Sequence, residues 1–455
     1  MDFMIIANAW GAGKDNPTSK HRIALELVRR GHRVLWIEGS GMRAPSVGSS
    51  HDRMKMVRKV VGMFRGVRRE EGRESEVRSQ KSGVRMGVRE RGGGLWVLSP
   101  LFVPMPRYEV IRRLNGLICR LGCKFWGLWL GFREPVLINY VPVLAEAMHS
   151  RLRRQNTDHR PQAVARLDEG EPVKGSLCTP RTIYHCVDRW DKFGMYDSSM
   201  MAEMDRRCCV YADLVIASAG ELYDRCRRLN PNTILISHGV DWEHFRHAVR
   251  GKGGEILDFR PQILDSGINT GSQKSIAGKA TAGPVIGFFG LLSEWVDQEL
   301  ILKLAREIPE ARLLLIGKAD VDVTRLQGVN NIQLEGPKPF SQLPEFIAQF
   351  TVGIIPFEVN DLTRAVNPIK LREMLAAGCP VVSTALPEVE RCVHDGDGAV
   401  QVAHSHDEFV AMVRTVVGNP FPEEKRQRLS DSMVTETWSA KVDEILRCVG
   451  SESES

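Results

Sequence analysis

The feature that most limits what this chain can fold into is an alternation that occurs twice. In the first half, short apolar runs recur at Phe3–Ala7, Val34–Ile37, Leu95–Leu98, Val136–Asn139, Thr182–Val187, Leu214–Ala217 and Thr233–Ser237. Between the first two, Ser19–Arg30 places Ile23, Ala24 and Leu27 on one helical face and stops at Gly31. Runs that are short and apolar throughout suit strands buried on both faces, and a strand–helix–strand order calls for a parallel sheet. The second half repeats the pattern. Its strands are Val285–Phe289, Arg312–Ile316, Ile332–Leu334, Val352–Pro356 and Pro380–Ser383, and its helices Asp297–Ile308, Ser341–Phe350, Asn367–Ala377 and Asp407–Val417. This reads as an α/β protein of two Rossmann-like domains facing a cleft, with ligands beyond the carboxyl ends of the strands.

Polar stretches punctuate the alternation. Residues 72–94 and 155–180 lack apolar periodicity, and 250–283 is rich in Gly and Ser. The expected division is a first Rossmann-like domain at 1–247 with insertions near 43–94 and 155–180, then a linker at 248–283. A second Rossmann-like domain follows at 284–430, and a C-terminal helix and tail at 431–455. Net charge is +6, but 53–91 holds thirteen basic and five acidic residues, so that segment is +8 and the rest of the chain −2. The basic character belongs to one insertion, which argues against nucleic acid as a partner. Within it, 53–69 puts Met54, Val57, Val60, Val61 and Phe64 on one helical face and cations on the other, and a peripheral membrane contact is expected there. Leu114–Phe132 is apolar, but Arg120 and Lys124 interrupt it, so a buried or interfacial helix is expected and not a span. Ten cysteines form no CxxC pair, and the N-terminus lacks the pattern of a signal peptide; a reduced, cytoplasmic protein is expected.

The chemistry concentrates in 357–384, FEVNDLTRAVNPIKLREMLAAGCPVVST. Asn367 is a good N-cap, Pro368 suits the first helical position and Gly378 the end. Asn367, Lys370 and Glu373 are spaced to share one face, while Leu371, Met374 and Leu375 cover the other. A helix N-terminus with a lysine in its first turn can hold a diphosphate, and a carboxylate one turn on can accept hydrogen bonds from the two hydroxyls of a ribose.

This stretch resembles the donor-site signature of the group 1 (family 4) glycosyltransferases, retaining enzymes of the GT-B fold, and the chain resembles a divergent member. Glu373, the small-residue run 376–378 and Pro380-Val381-Val382 fall in the family's order, as do Ile286–Gly290, Leu313–Gly317, Glu335–Pro339 and Val352–Pro356. Upstream, Ala212–Ser218 and Gly239–Phe245 match two further family elements. The resemblance implies a nucleotide-diphosphate sugar as co-substrate, no metal or other cofactor, and transfer of a hexose to a glycan, lipid-linked or small-molecule acceptor, as in cell-envelope polysaccharide synthesis. Gly290, Ser293, Lys338, Arg364, Asn367, Lys370 and Glu373 would bind the donor. His185 and Asp188, at the end of a first-half strand, would serve catalysis toward the acceptor hydroxyl. The chain also departs from the family. Ala365 stands where the first signature glutamate belongs, and the loop 291–297 lacks the usual Arg and Lys. A nucleotide-sugar epimerase and a non-catalytic nucleotide-sugar-binding protein are the alternatives.

Two lookalikes carry less. Gly11-Ala12-Gly13-Lys14 lacks the first glycine and the Ser/Thr of a phosphate loop. Asp320-Val321-Asp322 imitates a metal-binding acidic pair but reads better as a solvated turn.

Overall fold

The computed structural model describes residues 1–13, 16–39, 67–70, 93–103, 105–148, 181–250, 283–393 and 398–450. They form two compact units, one of Met1–Gly239, Val359–Ile369 and Glu436–Ser455, the other of Val240–Glu358 and Lys370–Thr435.

The first unit runs β1 (Asp2–Ala7), α1 (Ser19–Arg29), β2 (Arg33–Glu38), β3 (Arg68–Glu70), β4 (Gly94–Leu98), α2 (Glu109–Trp129), β5 (Val136–Asn139), β6 (Thr182–Cys186), α3 (Ser198–Tyr211), β7 (Leu214–Ala217), α4 (Gly220–Leu229) and β8 (Thr233–Leu235). Its sheet has the order β3-β4-β2-β1-β5-β6-β7-β8. Neighbours are parallel except β3, which pairs antiparallel with β4. β1 is buried along its whole length, as the continuous apolar run requires. The basic stretch 53–69 was expected to be helical; 53–66 lies outside the described residues, and Arg68–Glu70 is an edge strand. The C-terminal helix Trp438–Cys448 completes this unit, adding Trp438, Val442, Ile445 and Leu446 to its core.

The second unit runs β9 (Val285–Phe289), α5 (Gln298–Glu307), β10 (Arg312–Ile316), β11 (Ile332–Gly336), β12 (Val352–Ile355), α6 (Ile369–Ala376), β13 (Val381–Thr384), β14 (Val400–Ala403) and α7 (His406–Gly418). All six strands are parallel, in the order β11-β10-β9-β12-β13-β14. Counting from the unit's first strand, this is 3-2-1-4-5-6, the doubly wound order whose direction reverses between the first and fourth strands. Here those strands are β9 and β12. Gly287 and Gly353 are register partners across that pair. A Cβ would sit 2.2 Å from the Phe350 ring at Gly287 and 2.2 Å from the Met374 sulfur at Gly353, so the two glycines let a ring and α6 seat on the sheet. The first unit has the same reversal, between β1 and β5.

Of the lookalikes, the phosphate-loop candidate is a 3-10 turn over Trp10–Gly13. Asp322 caps a turn, its carboxylate accepting from the backbone N–H of Thr324 at 2.9 Å. Among the described residues no helix is long and apolar enough to cross a membrane.

Candidate active site

The second unit's site grows from the switch point of its sheet. β9 ends at Gly290 (φ +133°) and β10 at Gly317 (φ +150°), both in a region that side chains rarely adopt. A Cβ on Gly317 would fall 1.7 Å from the Gly290 carbonyl oxygen, so the two strand ends press together as backbone alone. The loop after β9 is pinned to the loop after β10 by Leu292 N–H donating to Lys318 O (2.9 Å) and Asp320 N–H to Leu292 O (3.0 Å). Ser293 is buried in that loop, and its carbonyl accepts from Val296 N–H at 3.0 Å. Asp297 caps α5, accepting from Leu300 N–H at 2.8 Å, while its other oxygen meets His406 Nε2 at 2.7 Å.

Into this backbone cradle comes Lys370, from the first turn of α6. Its Nζ lies 2.6 Å from where a Cβ on Gly290 would stand, 4.2 Å from the Phe288 ring centre and 4.7 Å from that of Phe357. An open helix face was expected for this lysine; the structure tucks it between two aromatic rings. Burial lowers its pKa to about 7, with Glu373, one turn further on, opposing the drop. Among the described residues it makes no ion pair. Leu371 and Met374 are fully buried, as the periodicity implied.

The remaining donor-site candidates sort differently. Lys338 belongs to this unit but is paired with Glu335 at 2.9 Å and lies over the Phe346 ring, so it is not a spare cation for phosphate. Arg364 and Asn367 group with the first unit. α6 begins at Ile369, two residues after Asn367, so Asn367 lies outside the helix. Its side-chain amide donates to the Ser218 carbonyl at 2.7 Å. Arg364 is exposed in a 3-10 turn. Ala365 is fully buried in an apolar cluster with Cys186, Ala217 and Leu222; the position is filled by packing.

The first unit holds a buried lysine, which sequence reading missed. Lys20, in the first turn of α1, places its Nζ 5.8 Å from the Tyr140 ring centre and 5.5 Å from that of Trp190. Burial lowers its pKa, and Asp188 opposes the drop. His185 Nδ1 is hydrogen-bonded to Tyr140 Oη at 2.9 Å. Burial, aided by the charge of Lys20, holds the pKa of His185 at about 3, so its ring is neutral near pH 7. Burial pushes Asp188 up to about 6, with Lys20 pulling the other way. His185 Nε2 and Trp190 Nε1 are buried with no hydrogen-bond partner among the described residues. His185 and Asp188 therefore share one polar cluster with Lys20, at the β1/β5 switch point. No local motif could have revealed Lys20: its partners Tyr140 and Trp190 lie more than a hundred residues away in sequence and are assembled only by the strand order.

Two doubly wound sheets, one in each unit, and the solved structures the chain resembles define a class: the chain has the GT-B glycosyltransferase fold. Along nearly the whole chain it superposes on sucrose-phosphate synthase from Thermosynechococcus elongatus (TM-score 0.60, 12% identity, 98% of this chain and 97% of that one). HepE from Anabaena, solved in complex with UDP and glucose, superposes with a TM-score of 0.54 at 12% identity, covering 99% of each chain. Residues 283–419 match the model of the group 1 glycosyl transferases. The chain is also 25% identical over 296 residues to the putative teichuronic acid biosynthesis glycosyltransferase TuaH of Bacillus subtilis (strain 168), spanning 62% of this chain and 70% of TuaH.

Proposed function

We propose that this protein transfers a hexose from a nucleotide-diphosphate sugar to a glycan, lipid-linked or small-molecule acceptor with retention of configuration. The second unit binds the nucleotide sugar and the first binds the acceptor. The observation that carries this reading is Lys370, a half-buried lysine held between two aromatic rings with no ion pair among the described residues, beside a strand end made of bare backbone and at the start of a helix. A diphosphate supplies the anion this arrangement lacks: first-turn N–H groups, the helix dipole and one cation converge on it. Glu373 takes the ribose hydroxyls. As the glycosidic bond of the donor breaks, negative charge grows on the diphosphate, and these groups stabilise it without reorganising. In the first unit, neutral His185 and Asp188 orient the acceptor hydroxyl, and Lys20 supplies positive charge beside them. The sequence resemblance and HepE's complex with UDP and glucose support this reading.

The test is calorimetry with UDP, GDP and ADP on wild type and Lys370→Ala. One nucleotide diphosphate should bind wild type, and the variant should lose about 1.5–3 kcal/mol, the usual worth of hydrogen bonds to a charged group, while still unfolding cooperatively. Equal affinity in both proteins would remove Lys370 from the site.

A further inference from the structure

Helix α2 is built inside out. Its fully buried residues are polar or small, with Ile118, Cys123 and Trp126 packed partly buried against the core beside them: Arg112 donates through Nη1 to the carbonyls of Pro106 (2.7 Å) and Arg107 (3.1 Å). Asn115 bridges both the N–H and the carbonyl of Val103 at 2.9 Å. Gly116 and Gly127 sit where a Cβ would come within 2.5 Å of Glu146 and Met4 respectively, so the helix lies close against the unit with nothing bulky between. The outward face is the apolar one. Val110, Leu114, Leu117, Leu121, Phe125 and Leu128 are all exposed, Val110 at 76%, Phe125 at 62% and Leu128 at 70%. At 3.6 residues per turn they fall within an arc of roughly 80°, and with Trp129 they extend about 28 Å along the axis. A soluble helix normally carries the opposite pattern.

Charge says what covers this stripe. Arg113, Arg120 and Lys124 all lie along one flank of it, and after Glu109 the helix contains no acid. That flank continues into a groove walled by Arg113, Arg120, Arg206 and Arg207 against Glu146 and Glu203, an excess of positive charge. A second copy docked through the same helix would bring only one carboxylate along α2, Glu109, which already pairs with Arg113 at 2.6 Å. An anionic lipid surface offers acyl chains to the apolar arc and phosphates beside the basic flank.

We propose that α2 lies in the plane of an anionic phospholipid surface, its Val110–Trp129 stripe in the acyl boundary and Arg113, Arg120 and Lys124 at headgroup level. The inference concerns a different surface from the nucleotide site and stands whether or not that assignment holds.

The experiment is sedimentation of the full chain with vesicles of phosphatidylcholine alone or mixed equally with phosphatidylglycerol, at low and high salt. Expected is at least tenfold stronger partitioning to the anionic vesicles, weakened severalfold by 0.5 M salt. Leu121→Glu/Phe125→Glu should cut partitioning at least tenfold. Arg120→Glu/Lys124→Glu should abolish the preference for anionic lipid. The substituted positions are exposed or half-buried, so both variants should keep the wild-type melting temperature. Leu235→Glu, an exposed leucine elsewhere in the same unit, should bind lipid like wild type. Lipid binding unaffected by the α2 substitutions would overturn the proposal and place the contact elsewhere, 53–69 included. So would sedimentation equilibrium showing a dimer that only the α2 variants dissociate, since the stripe would then belong to a second copy.

Discussion

The two units solve one electrostatic problem with their roles exchanged. In the first, the lysine sits on the helix after the sheet's first strand and lies near the ring of Tyr140, just past β5. In the second, it sits on the helix before the fifth strand and lies against Phe288, within the first. Both amines are buried and pushed down in pKa, both lie over two aromatic rings, and each has one carboxylate in its field, Asp188 or Glu373. The surroundings differ. Lys370 faces bare backbone, the glycine ends of β9 and β10, which a diphosphate can approach closely. Lys20 lies beside Tyr140, Trp190 and His185, and the ring nitrogens Trp190 Nε1 and His185 Nε2, without a hydrogen-bond partner among the described residues, suit hydroxyls. The same amine thus reads as a phosphate anchor in one unit and as part of a polar acceptor cluster in the other.

The largest effect that can break this comparison is pH. Because the pKa of Lys370 is lowered to about 7, the empty site sheds its proton above neutrality, and diphosphate binding must restore it. Nucleotide diphosphate affinity should therefore fall as pH rises from 7 to 9, approaching tenfold per unit. Lys370→Arg, which stays charged, should flatten the profile. The same shift sets a stability trend for the empty protein: the penalty for burying a charged lysine is complete below pH 7 and is relieved as pH climbs toward 10.5. A flat calorimetric profile for wild type would show that the amine is not a diphosphate contact.

Next in size is Glu373→Ala, expected to cost about 1.5–3 kcal/mol for the ordinary nucleotide and little for its 2′,3′-dideoxy form. If the variant prefers the ribonucleotide by the wild-type margin, the ribose is held elsewhere. The smallest expected change sharpens the contrast. Lys20→Met should leave nucleotide affinity within about 0.5 kcal/mol of wild type, yet lower transfer to acceptor in a product assay. Loss of nucleotide binding in that variant would show that the two lysines are not divided as argued.

The strands were legible because a parallel sheet writes itself as short unbroken apolar runs; β5, β7, β9 and β10 match the reading end to end. That Lys370 and Glu373 share one helix was legible from their spacing. The cap at Asn367 was not, because capping preference is local while its amide is claimed by the Ser218 carbonyl. The setting of Lys338 was hidden for the same kind of reason: a sequence shows a cation and not the glutamate folded against it. β14 was missed because Val400–Ala403 is short and partly exposed, with Gln401 breaking the run. The apolar period of α2 was readable, but its direction was set by Gly116 and Gly127, whose fit against Glu146 and Met4 exists only in three dimensions.

The C-terminal helix of the first unit has a consequence for synthesis. Trp438, Val442, Ile445 and Leu446 belong to the same core as β1, Arg30 pairs with Asp443, and the Arg30 guanidinium also donates to the Ser439 carbonyl at 2.7 Å. Gly239 leaves room for Trp438, whose backbone nitrogen would lie 2.6 Å from a Cβ there. Chains usually mature from the N-terminus as they emerge from the ribosome. Here the first unit's sheet is made early, yet its core lacks one helix until residues 438–448 have been made. The second unit can close while the first still lacks that helix, and a nascent chain halted before residue 438 exposes the apolar face of α1 to whatever chaperone or protease is nearby.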